Sequence, residues 1–156
     1  ELDRIKPKPI QIESISLMAP ACSIDFYKNF YRPHLGPNAT SKVRIKNMYV
    51  YNLDDDAEQD DNVARVYCKS LLYLVSNAFE DERKLPLLGM QKFAKNVAGD
   101  KGLTLFNTDD NKNLTRASSH GGFDNDIATM NNILKAILGA APAKPFTKNE
   151  LDYGGA

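Results

Sequence analysis

The chain has 156 residues, 42% of them hydrophobic, and its twenty basic and twenty acidic side chains cancel to a formal charge of zero. That length is enough for one domain with its own core, and the balanced charge excludes a general electrostatic pull toward nucleic acid or an anionic membrane. No apolar run approaches the roughly 18 residues a spanning helix needs, and no secretory signal pattern is present.

In chain order, residues 1–9 are polar, carry two prolines and read as an N-terminal linker. Ile10–Ala19 reads as a strand stopped at Pro20, which has no amide hydrogen for a ladder. Ser23–Arg32 reads as a short amphipathic helix capped by Ser23, and residues 33–40 as a loop. Val43–Leu53 is β-favouring on both faces, as expected of a strand covered on both sides. Asp54–Asp61 follows with six acids in eight positions and reads as a loop at the strand's carboxyl end. Lys69–Phe79 has a helical apolar face, Leu85–Val97 reads as a turn and a short helix stopped by Gly99, and residues 102–106 as a short strand. Residues 114–118 read as an edge strand or a loop. Ile127, Met130, Leu134, Ile137 and Leu138 mark a strong helix, capped by Asp126 and closed by Gly139. Residues 10–140 are therefore read as one domain and 141–156 as a polar C-terminal tail. Strands separated by helical crossovers predict an α/β fold with a mainly parallel sheet and helices on both faces.

One short segment concentrates the chemistry. Ser118-Ser119-His120-Gly121-Gly122 puts one of the two histidines on a glycine-bordered loop ahead of a helix start. An imidazole there is suited to proton transfer near neutral pH, provided a carboxylate fixes its tautomer; structural hydrogen bonding and metal ligation are the other roles open to it. Asp54, Asp55, Asp56, Glu58, Asp60 and Asp61 are the candidate partners, though crowded like charges repel and most should form a solvated face. Asp54, Asp56 and Glu58 also alternate like calcium ligands, but the glycine and later glutamate of an EF-hand are missing. With only His34 and His120 as imidazoles, zinc is weaker still, and no cofactor is expected.

No G-x-S-x-G elbow occurs. Ser70 reads as a helix cap or first-turn residue, Ser76 lies within a helical pattern, and Ser118 and Ser119 sit too close to His120 in sequence. Cys22 falls between a strand and a helix but lacks elbow glycines. Cys22 and Cys68 match no zinc or redox spacing and read as buried free thiols. Asp124 and Asp126 read as capping and loop-bonding residues.

The order of these parts resembles the C-terminal half of an α/β-hydrolase, in which the acid follows a late strand and the histidine comes last, before the final helix. Lys46–Leu53 resembles the strand before the acid, Ser118–Phe123 the histidine loop and Asp126–Leu138 the closing helix. Residues 16–22 and 70–76 also resemble a poorly characterised hydrolase-like group. The resemblance implies His120 as the triad histidine. It implies Asp56 as the acid if Asn52-Leu53 precedes it by a short loop, and Asp60 if Val63 is the apolar residue that follows. The early strands, the oxyanion loop and the serine elbow have no counterpart in the 156 residues.

The resemblance implies a serine-type hydrolase acting on a small ester, thioester or amide, completed by an N-terminal half or a separate chain that carries the nucleophile. The isolated chain is expected to be inactive. The alternatives are a non-catalytic interaction domain, with Tyr27, Phe30, Tyr31 and Phe123 on its surface, and a calcium-stabilised structural module. The sequence opens on Glu1 rather than methionine, so it reads as a processed or excised piece or one without its start; the native compartment stays open, with the cytoplasm favoured.

Overall fold

Three parallel strands lie side by side in chain order in the computed structural model, which describes residues 10–37, 39, 42–61, 69–79, 84–110 and 114–151. They are β1 (Ile10–Met18), β2 (Val43–Asn52) and β3 (Leu103–Asn107), with β2 at the centre, paired to both others. A central parallel strand needs cover on both faces, and Met48, Val50 and Tyr51 of β2 are fully buried. On one face, Met48, Val50 and Leu103 pack with Ile24, Tyr27, Leu88 and Val97. On the other, Tyr51 and Phe106 stack at 5.0 Å between centroids and pack with Leu53, Ala117, Phe123 and Ile133. The result is a small α/β domain with helices on both faces of the sheet.

Alternation slips once in each of two strands. Ile12 and Ile15 of β1, and Ile45 and Met48 of β2, share one core cluster although three residues apart in sequence. The slip falls where the paired strands carry the Lys46–Glu13 bond of 2.9 Å on the solvent side.

The connection from β1 to β2 begins with α1 (Ile24–Phe26), capped by Ser23, whose hydroxyl accepts the Phe26 amide at 3.0 Å. The helix continues as a wider π turn, Tyr27–Tyr31, and a tighter 3-10 turn, Arg32–His34. Ile24 and Tyr27 face the core, while Phe26 and Phe30 are exposed. The connection from β2 to β3 carries α2 (Asp55–Asp60), α3 (Leu71–Leu74, continued as the π turn Val75–Phe79) and α4 (Gln91–Ala94, continued as the 3-10 turn Lys95–Val97). Gly89 passes so close to the end of β1 that a Cβ there would stand 2.5 Å from the Pro20 carbonyl oxygen. Gly102 enters β3 at φ +87°, a left-handed conformation that only glycine adopts cheaply.

One segment folds differently from its reading in the sequence. The acidic run is a helix, not a loop. Asp54 caps it, one carboxylate oxygen accepting the Asp56 and Ala57 amides at 3.1 and 2.9 Å, and acids in a first helical turn complement its dipole. Within the polar C-terminal tail, residues 142–151 return to the body. Asn131 of α5 (Ile127–Leu138) bonds both main-chain groups of Phe146 (2.7 and 3.0 Å), and α6 (Lys148–Leu151) buries Leu151. Residues 114–118 form a loop, with Thr115 and Ala117 buried. Tyr27 and Phe123 belong to the core rather than to a surface, whereas Phe30 is 60% exposed. Cys22 is a half-buried free thiol, while Cys68 and residues 1–9 lie outside the described residues. Among the described residues no helix is long and apolar enough to cross a membrane.

Candidate functional site

Beyond the carboxyl end of β2, α2 is tied down at several points. Asp54 donates its amide to the Thr108 hydroxyl (2.8 Å) and accepts that hydroxyl's proton on its second carboxylate oxygen (2.7 Å). Burial pushes the Asp54 carboxyl up, but bonds from Ala57, Thr108 and Asp56 outweigh it and hold the group below the usual carboxylate range. Gln91 accepts the Asp55 amide at 3.1 Å and donates to both Asp109 oxygens, at 2.9 and 3.0 Å, linking α2, α4 and the segment after β3. Tyr73 donates to Asp55 at 3.0 Å and accepts from Lys92 at 2.6 Å.

These anchors aim Glu58 inward from an otherwise solvated helix. Its side chain is 1% exposed, and its Oε2 lies 3.1 Å from Nε2 of His120. The histidine sits on a 3-10 turn, His120–Gly122, and its main-chain N–H donates to Asp61 at 3.2 Å. The turn itself is held from the other side by Asp126. That carboxylate caps α5 through the Thr129 amide (2.9 Å) and also accepts the Arg116 amide (2.7 Å), fixing both ends of the histidine loop. Asp124 is exposed.

Neither glycine of the loop adopts a left-handed conformation. A Cβ on Gly121 would meet open space, and one on Gly122 would stand 3.1 Å from the Ser119 hydroxyl. The sequence argument for a glycine-shaped turn therefore holds only for the close packing at Gly122.

The carboxylate on the ring is Glu58, and the two acids preferred from sequence, Asp56 and Asp60, are exposed on α2. A helix of this length presents one inward side, marked by half-buried Ala57 and by Glu58, whose side chain is long enough to reach the ring. That signal was available in the sequence, since Ala57 is the one apolar residue of the run, but it becomes readable only once the run is taken as a helix.

An ionised Glu58 can only accept, which assigns the proton of the neutral ring to Nε2 and the basic lone pair to Nδ1. The pair can thus take a proton at Nδ1 and stabilise the resulting imidazolium. Ser70 is not on the ring. Its hydroxyl donates to Oε2 of Glu58 and accepts the Tyr73 amide at 3.3 Å, so both its capacities are committed. Ser76 donates to the Leu85 carbonyl at 2.8 Å. Burial pushes the Cys22 thiol up, against a main-chain hydrogen bond, which makes it a poor nucleophile at neutral pH. Among the described residues, no group of three or more histidine, cysteine or acidic side chains is placed to hold a metal ion.

Comparison with known proteins adds no relative: no family model, curated protein or solved structure matches the chain.

Proposed function

We propose that this domain supplies the acid–base half of a serine-type hydrolase, with His120 as general base and Glu58 as the carboxylate that orients and charges it. The observation that carries this reading is the Glu58–His120 bond, made by a carboxylate with a 1% exposed side chain to an imidazole with a 17% exposed one. Chain order supports it: the acid follows the central strand, and the histidine follows the edge strand and precedes the last long helix, as in α/β-hydrolases. The nucleophile and the oxyanion donors are assigned to residues outside these, because Ser70 gives its single proton to Glu58 itself and Ser118 and Ser119 stand too close to His120 in sequence to form a nucleophile elbow. An ester, thioester or amide is attacked by a serine whose proton passes to Nδ1 of His120, and the same nitrogen returns it to the leaving group.

The test uses the domain joined to its nucleophile-bearing half. His120→Ala is expected to lower kcat/KM on an activated ester by roughly ten-thousandfold, with circular dichroism unchanged. A folded variant with near-normal turnover refutes the proposal.

A second reading, a non-catalytic interaction module, has one observation in its favour. Phe26 and Phe30 are 45% and 60% exposed and pack ring to ring at 4.6 Å on α1 and its continuation. Phe30→Ala separates the two, since it would weaken association with a partner and leave turnover alone.

A further inference from the structure

Ser70 is fully buried at the start of α3, next to the acid–base pair. Its main-chain N–H donates to the Glu58 carbonyl at 2.9 Å, so the two residues are already fastened through the backbone. Its hydroxyl oxygen accepts the Tyr73 amide as the cap of α3. A hydroxyl has a single proton to give. With the oxygen oriented by the cap, that proton goes to Oε2 of Glu58, the same oxygen that faces Nε2 of His120.

We propose that Ser70 is a positioning residue for the imidazole, selecting which carboxylate oxygen of Glu58 faces the ring and holding it there. The inference rests on the acid–base reading of Glu58 and His120. A glutamate carboxylate turns about a broad, two-fold terminal torsion. Without the Ser70 proton, the His120 ring is the one group among the described residues left bonded to the carboxylate, so nothing independent of the ring holds the acceptor in place. The main chain of His120 is held separately, by Asp61. Ser70 governs the ring and Asp61 the backbone, so the two can be altered independently.

The measurement is the exchange with water of the Nε2-bound proton of His120, followed by NMR on the full chain at neutral pH, and it requires no turnover. Ser70→Gly deletes the hydroxyl while leaving an acceptable helix cap, and Ser70→Ala is its companion; either variant, once folded, serves. Exchange is expected to become roughly tenfold faster, the value of one hydrogen bond, and Ser70→Thr is expected to restore it. A folded Ser70→Gly protein with wild-type exchange overturns the positioning role and leaves the hydrolase reading standing. A wild-type ring with its proton on Nδ1 overturns both.

Discussion

Two carboxylates each join distant parts of this fold, and they are bonded differently. Asp100 gives one oxygen to Arg32 (2.7 Å) and the other to the Tyr27 hydroxyl (3.0 Å). Burial, then the Asp100 bond, push the Tyr27 proton well above the usual phenol range, so it stays a donor, and the guanidinium stays charged. Glu58 instead receives Ser70 and His120 on the same oxygen, and its Oε1 is buried with no hydrogen-bond partner among the described residues. An unpaired buried acceptor costs roughly 1–3 kcal/mol. Asp100 is arranged for stability, with each oxygen satisfied by a donor that does not titrate near neutrality. Glu58 leaves one buried oxygen unsatisfied while its other oxygen holds the imidazole, a departure from full satisfaction that fits the proposed role of the pair.

The contrast breaks first at catalysis. On the proposed hydrolase reading, with a nucleophile-bearing half joined to the domain, Glu58→Gln keeps the shape of the side chain and loses its charge. Its kcat/KM is expected to fall roughly ten-thousandfold, while unfolding free energy moves by less than about 1 kcal/mol. Equal, small losses in rate and stability would make Glu58 a second Asp100. The converse substitution, Asp100→Ala, leaves the buried Tyr27 hydroxyl and the Arg32 guanidinium without their acceptor. It is expected to lower stability by about 2 kcal/mol in denaturant titrations, with turnover per folded molecule unchanged.

Asp54 sharpens the comparison with the smallest effect. Both of its oxygens are used and its carboxyl is held low, so it belongs with Asp100. A carboxyl whose folded pKa is depressed contributes stability above its unfolded pKa, about 3.9, and that contribution is lost as pH falls through the lower, folded value. Asp54→Asn, an equally good cap, is expected to cost only tenths of a kcal/mol near pH 7. It should also flatten the acid limb of stability measured below about pH 5. An unchanged acid limb would remove Asp54 from the comparison.

Much of this was legible because caps and strands are local. Ser23, Ser70 and Asp126 cap the helices they were read to cap, and Gly139 closes α5 in the left-handed conformation at φ 69°. The strands read as 10–19, 43–53 and 102–106 stand at 10–18, 43–52 and 103–107. The acidic run excludes a strand from its composition alone, but the choice of helix over loop rests on the Asp54 cap and the helix dipole, which composition does not reveal. Glu58 is among the candidate partners of His120 in the sequence, but on a loop nothing ranks it above Asp56 and Asp60; on the helix it is the fully buried one of the three. Breaks in alternation such as that between Ile45 and Met48 leave no local trace, since β-favouring residues occupy both faces of β2.

Glu58 and His120 are separated by 62 positions along the chain, with β3 between them. Parallel pairing of this kind closes long loops and forms slowly. A partly folded intermediate holding only β1 and β2 would contain the acid and not the base. The Glu58–His120 contact therefore requires the long connection through β3 to close, and refolding followed at the imidazole reports on that closure.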